Sequence, residues 1–404
     1  MGNLGTQFSF GRGALMPQEE MLEVNTKKQN ITIGILNETD VNEHRIALTP
    51  QAVQLLVDAG NKVLFERNAA ERAKFTNQDY SEVGAIICDA KTEVYEADVL
   101  IKVAPFNSQE ISLLREKQTI LSSFLINESA LQQVHELTQK RVNAIGFDYI
   151  RDIEGNYPVV RSMDEIAGSM SVLVAAEYLS NSNVGKGVLL GGVTGISPAE
   201  VVILGANTAG EFAARAAMGM GAHVKIFDSY LQRLITIQQS LGQRVFTSNY
   251  HSGVLQKALK SAEVVIGTIQ LVEDGQNFYV SEDMIKGMKQ GSVIVDLSID
   301  QGGCFETSAC TTHKNPIFTK HGVTHYCVPN ITSRAARTSS IALSNIVVPI
   351  LLRMTEMGGV KNFLKHDFAV RQGVYIYNGI LTNSYIANKY GLPYKNIDLL
   401  MAAF

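Results

Sequence analysis

The chain has 404 residues, 46% of them hydrophobic and 18% charged, with a formal net charge of −4 at neutral pH. That length provides for two or three domains, each able to close a hydrophobic core. The small negative charge is dispersed and no basic run occurs, which argues against a nucleic-acid partner.

The N-terminal stretch MGNLGTQFSFGRGALMPQEE is polar and glycine-rich and lacks the apolar core of a signal peptide, so residues 1–30 are expected to form a flexible tail. Met1-Gly2 with Thr6 is only a weak match to a myristoylation signal. From Ile31 a strand–helix beat begins. ITIGIL reads as a strand, PQAVQLLVDAG as an amphipathic helix stopped by Gly60, and KVLFER as the next strand. GAIIC, DVLIKVA, TILSSFL and VNAIGFD continue it, and strands alternating with helices predict a parallel sheet covered on both faces.

Near Pro158 the rhythm pauses, and SMDEIAGSMSVLVAAEYLSN reads as one long helix. After the glycine-rich GKGVLLGGVTG a second series runs through EVVILGA, AGEFAARAAMGMG, HVKIFD, AEVVIGT, GSVIVDLS and THYCVPN, ending near Asn330. SSIALSNIVVPILLRMTEMGG is then expected to be helical and to return to the first domain. The longest apolar stretch, Ile341 to Leu352, is expected to be too short to span a bilayer. Cys88, Cys304, Cys310 and Cys327 are scattered with no CxxC pair, which predicts reduced thiols in a cytoplasmic protein and no metal site. Cys304, close to a suspected site segment, is expected to be packed in the core rather than reactive.

The segment VVILGANTAGEFAARAAMGMGAHVKIFD carries the clearest chemistry. A β-branched strand runs into Gly205, the turn Asn207-Thr208-Ala209 leads to Gly210, and a helix starts there. Glycine lets the backbone turn sharply and approach a pyrophosphate, whose charge meets the amides and dipole of the helix N-terminus. The next strand ends in Asp228, placed to accept hydrogen bonds from ribose hydroxyls and to disfavour a 2′-phosphate, so NAD is the expected cofactor. Arg233 stands five residues further on. Asn207 replaces the usual middle glycine; it is expected to tolerate a left-handed turn while crowding the pyrophosphate.

The blocks NETDVNEHRIALTP, DVLIKVAPF, SMDEIAG, GKGVLLGGVTGISPAEVVILGA, VIVDLSIDQGGCFE and YCVPN occur in the order found in alanine dehydrogenases and pyridine-nucleotide transhydrogenases, and the chain resembles that family over residues 31–400. The resemblance implies an α/β fold of two Rossmann-like, doubly wound domains separated by a cleft. Residues 31–158 plus 337–404 would form the substrate domain and 159–336 the NAD-binding domain. It further implies that Arg45 binds the substrate carboxylate, that Lys102 binds the 2-oxo oxygen and takes part in catalysis, and that Asp300 serves the chemistry. Asp164 and Asn330 would face the cofactor. A histidine expected of alanine dehydrogenases is absent: in LSSFLIN its place is taken by Ile126, which can neither donate a hydrogen bond nor transfer a proton. His44 and His325 are conceivable replacements, although a structural role is the plainer reading of each.

The segment SMDEIAGSMS looks more like the transhydrogenase arm, whereas DQGGCFE and the C-terminal pattern look like alanine dehydrogenase. The expected activity is therefore NAD-dependent, reversible oxidative deamination of L-alanine. Alternatives are the soluble NAD-binding subunit of a transhydrogenase, a dehydrogenase for a larger amino acid, and a non-catalytic NAD-responsive protein. The implied partners are a 2-oxo acid or amino acid and ammonium, with no membrane insertion and a homo-oligomeric (dimeric or hexameric) assembly.

Overall fold

The computed structural model describes residues 28–126, 129–269 and 279–403; most of the expected N-terminal tail, and Asn127 of the LSSFLIN segment, lie outside them. Two sheets organise the described residues, one of eight strands and one of seven. Across the first, the order is Ile380–Leu381, Val374–Tyr377, Asn143–Gly146, Thr119–Ser122, Val99–Ile101, Thr32–Ile35, Lys62–Glu66 and Ile86–Cys88. Across the second it is Ile317–Lys320, Val323–Tyr326, Val293–Asp296, Val264–Gly267, Glu200–Leu204, His223–Phe227 and Phe246–Ser248. The six parallel strands of each sheet, numbered along the chain, run 3-2-1-4-5-6, the doubly wound order. The fold is α/β, with two Rossmann-like units.

The sheets are parallel, as the sequence implies, except at their edges. Val374–Tyr377 pairs antiparallel with Asn143–Gly146, and Ile317–Lys320 antiparallel with Val323–Tyr326. Ile380–Leu381 in turn pairs antiparallel with Val374–Tyr377, and these three added strands arrive through hairpins or from the chain end, where no crossover helix forces a parallel return.

Central strands such as Val99–Ile101, Thr119–Ser122 and Val293–Asp296 are buried along their whole length, which is why they read as continuous apolar runs. The helix Pro158–Ser180 begins with proline at its first position and crosses the helix Thr208–Gly219 at very close range. A Cβ on Gly168 would lie 2.2 Å from the carbonyl oxygen of Ala209, so only glycine permits that approach.

The helix Ala336–Glu356 packs Leu343, Val347, Leu351 and Met354 into the same core as Ile33, Val53 and Phe65 of the first sheet. The apolar stretch is longer than its sequence suggests. Helical structure runs from Ile331 to Glu356, 26 residues with a mean hydropathy of 1.4 in the most apolar window, long and apolar enough by composition to cross a membrane. Half of that window is buried inside the protein, as in a core helix.

Candidate active site

In doubly wound sheets, ligands bind outside the carboxyl ends of the strands, at the point where the strand order reverses. Here both reversal points open onto one cleft of about 480 Å³. Asp40, Asn42, Glu43 and Arg45 follow the strand Thr32–Ile35, and Ala104 and Pro105 follow Val99–Ile101. From the second sheet, Asn207 and Ala209 follow Glu200–Leu204, and Thr268 and Ile269 follow Val264–Gly267. Asp148, Asp164, Asp300 and Asn330 complete the charged and polar lining.

Arg45 is the one cationic side chain lining this cleft among the described residues. Glu43 holds it side-on, its Oε1 accepting from Nε at 2.8 Å and its Oε2 from Nη2 at 2.6 Å. Asn330 Nδ2 donates to Glu43 at 2.8 Å and Ser333 Oγ at 3.1 Å, so the carboxylate is fixed from both sides. Burial by itself would raise the Glu43 carboxyl, but the charge and hydrogen bonds of Arg45 outweigh it and hold the group below the usual carboxylate range. The Nη1–Nη2 edge of the guanidinium carries no protein carboxylate among the described residues; Nη1 meets only the Met163 sulfur at 3.3 Å. That edge can receive a ligand carboxylate with two parallel hydrogen bonds.

Opposite lies a group of acids. Burial and the nearby charge of Asp300 push Asp164 up to about 6. Asp300 opens onto the cleft, and the protein crowding it raises its carboxyl as well. Asp148, missed from the sequence, is also raised by burial, against the opposing Phe124 amide and the charge of Arg45. With its carboxyl at about 6, Asp164 can store and release a proton near neutral pH.

The dinucleotide loop has the geometry its glycines predict. Gly205 has φ +112°, and a Cβ there would lie 2.5 Å from Thr268 Oγ1; a Cβ on Gly210 would lie 2.0 Å from the Gly205 carbonyl oxygen. Asn207 differs from expectation. Its φ is −89°, so it is extended and not left-handed. Its side chain is turned back into the protein, accepting from the Gly210 amide at 3.0 Å and donating to the Thr268 carbonyl. It is the N-cap of the helix Thr208–Gly219. The amides of Thr208 and Ala209 remain at the open helix end, where orphan donors meet an anion. These residues fit a dinucleotide pyrophosphate. Asp228 is buried and braces the loop, accepting from the amides of Ala206 at 2.7 Å and Tyr230 at 2.8 Å. It lines a small cavity together with Ser229, Tyr230 and Arg233.

Comparison with known proteins agrees with this architecture. The model of the N-terminal domain of alanine dehydrogenase/PNT matches residues 34–167, and that of the C-terminal domain matches residues 171–384. The chain belongs to the alanine dehydrogenase/PNT family. It is 38% identical over 368 residues to an alanine dehydrogenase of Staphylococcus epidermidis, covering 91% of this chain and 98% of that one. To an alanine dehydrogenase of Methanococcus maripaludis it is 39% identical over 364 residues, covering 90% and 97%. A solved L-alanine dehydrogenase superposes with a TM-score of 0.83 at 31% identity, over 89% of this chain and 99% of the other. A transhydrogenase of Sinorhizobium meliloti shares the fold, with a TM-score of 0.73 at 22% identity over 88% and 99%.

Against this family background, Lys102 requires correction. It does not line the cleft. The side chain is fully buried, with Nζ 2.9 Å from Glu110 Oε2 and 3.9 Å from Glu38 Oε2. Glu110 closes a capping box with Asn107 at the start of the helix Ser108–Ser112, and Lys102 neutralises that buried carboxylate. From this strand end, it is Ala104 that reaches the cleft wall.

Neither candidate replacement histidine lines the cleft. His325 is buried, bonded through Nε2 to Thr307 Oγ1 at 2.7 Å and through Nδ1 to the Val323 carbonyl at 3.0 Å, and burial pushes it down to about 4. His44 lies on the far side of its loop, 5.0 Å between ring centres from His313. Ile126 packs against the core, while Ser123 and Leu125 of the same segment line the cleft. Cys304 is fully buried beside Asp296.

Proposed function

We propose that this chain catalyses the NAD-dependent, reversible conversion of L-alanine to pyruvate and ammonia. The single observation that carries this reading is the arrangement of Arg45, anchored by Glu43, across one cleft from Asp164, Asp300 and the dinucleotide loop. NAD, when bound on Thr208, Ala209 and Gly210 with its ribose toward Asp228, supplies the hydride-transfer chemistry. Arg45 holds the substrate carboxylate through its Nη1–Nη2 edge. Asp164 and Asp300, both raised, move the proton at the substrate C2 oxygen and hold the ammonium. Residues 31–158 with 337–404 act as the substrate domain and 159–336 as the NAD-binding domain, in a cytoplasmic homo-oligomer.

A second reading is favoured by one observation: no lysine or histidine lines the cleft among the described residues. A carbonyl there can be polarised only by Arg45, by neutral hydrogen-bond donors or by a protonated carboxyl. That suits an NAD-binding subunit or sensor without amino-acid turnover, or a dehydrogenase for a different amino acid. The test is NADH oxidation with pyruvate and ammonium, beside a panel of other 2-oxo acids and amines. Preferential turnover of pyruvate supports the proposal. NADH binding without turnover of any pair selects the sensor or subunit, and preference for a larger oxo acid selects the related dehydrogenase.

A further inference from the structure

The loop Asp40–Arg45 separates two cavities. Asp40, Asn42, Glu43 and Arg45 line the cleft, whereas Val41 and His44 line a second cavity of about 790 Å³. The segment after Pro329 divides in the same way, with Asn330–Thr332 on the cleft and Ser333–Thr338 on the second cavity. The second cavity is walled by Arg72, Lys74, Arg334, Arg337, His44 and His313, with no carboxylate in its lining among the described residues. In a chain of net charge −4, such a concentration of cations is a site of positive potential.

Little inside the protein neutralises these cations. Arg334 pairs with Glu177 at 2.7 Å, but Arg72, Lys74 and Arg337 form no ion pair among the described residues; Arg337 senses Asp79 only at longer range. Arg337 donates to the Lys74 carbonyl at 2.7 Å and stacks 4.2 Å over Phe75, while Lys74 is held in left-handed backbone at φ +63°. That conformation closes the turn Glu71–Ala73, where the Lys74 amide donates to the Glu71 carbonyl. Two further lining groups turn toward the same wall: the hydroxyl of Tyr326, which is 1% exposed, faces the Arg334 guanidinium, and the His313 ring faces the Asn330 backbone.

We propose that this cavity binds a small polyanion, a molecule with two or more closely spaced phosphate or carboxylate charges. The cavity connects directly to the cleft. Arg72 Nη1 donates to the carbonyls of Asp40 at 2.7 Å and Glu43 at 3.0 Å, and Ser333 Oγ accepts from the His44 amide while donating to Glu43. An anion drawing on Arg72 and His44 therefore acts on the loop that carries Glu43 and Arg45. The consequence for substrate binding rests on the function proposed above; the binding itself does not.

The test is calorimetric titration of the full chain with pyrophosphate and, separately, with citrate, at an ionic strength fixed with sodium chloride. The expected result is one anion per chain, with affinity falling tenfold or more in Lys74→Gln/Arg337→Gln while NADH affinity stays within twofold. Should the double variant fail to fold, Lys74→Gln alone removes an ammonium that makes no hydrogen bond among the described residues, and a loss of threefold or more is expected. Tighter pyrophosphate binding identifies a phosphate ligand and tighter citrate binding a polycarboxylate. Absence of binding heat, or affinity that these substitutions leave unchanged because the anion sits on the dinucleotide loop, would overturn the proposal. In wild type the bound anion should shift the pyruvate KM; an inactive enzyme that still binds the anion counts against the proposed activity and not against this site.

Discussion

Glu43 and Arg45 lie two residues apart on one loop and meet through two parallel hydrogen bonds of 2.8 and 2.6 Å, with the side chains only 4% and 13% exposed. The pair turns a flexible cation into a fixed one. A carboxylate arriving from the cleft then meets a guanidinium whose side-on edge is already occupied and whose orientation is set.

Replacing Arg45 by Met should raise the KM for pyruvate tenfold or more, because charge-assisted hydrogen bonds worth about 1.5–3 kcal/mol disappear. Glu43→Ala should act on stability too. It strands a buried guanidinium, and breaking a buried pair from one side costs about 3–5 kcal/mol. Denaturant unfolding would measure the loss; an unchanged midpoint would show that the pair is not buried in solution.

Lys102→Met should behave as a core lesion and not as a catalytic one. Glu110 would keep only the partly exposed Lys91 at 3.5 Å in place of its buried partner, lowering stability by about 3 kcal/mol. Measured at a temperature where the variant remains folded, the pyruvate KM should change less than twofold. A large rise in KM with unchanged stability would return Lys102 to the substrate.

The chain should lose stability as pH rises through the range of its raised carboxyls. Asp164 stands at about 6 in the folded protein against an ordinary value of 3.8. The folded state binds this proton more tightly than the unfolded chain does, so the contribution is full below about 4 and is lost as pH passes about 6. After discounting for partial exposure, it amounts to about 1–2 kcal/mol. Unfolding at pH 5 and pH 8 should show wild type weaker at pH 8, with the difference reduced in Asp164→Asn. An identical pH dependence in both would remove Asp164 from the account.

Asn207→Gly should tighten NADH binding while slightly loosening the fold. Glycine at an N-cap costs only a few tenths of a kcal/mol, but the bond to the Thr268 carbonyl is lost as well. The Gly210 amide, now capped by Asn207, becomes available to the pyrophosphate. Fluorescence titration should find affinity several-fold higher, and weaker binding would mean that the cap preorganises the loop.

The sequence alone determined the alternation of strands and helices, because buried parallel strands must be continuous apolar runs and their crossovers must be amphipathic. It also located the dinucleotide turn, since backbone that approaches this closely at Gly205 and Gly210 excludes a side chain whatever the rest of the fold. The capping box Asn107–Glu110 and the burial of Lys102 beside it came only from the structure. What only the tertiary structure decided is which side of each strand end a side chain takes. Lys102 and Ala104 are two positions apart, yet one enters the layer beneath a helix and the other reaches the cleft. The role of Asn207 was likewise settled by a partner 61 residues away, Thr268. Glu43 and Asp148 acquire their significance only when the ends of several strands converge on Arg45. Local pattern carries burial and period, but the meeting of side chains from distant strands depends on sheet order and packing.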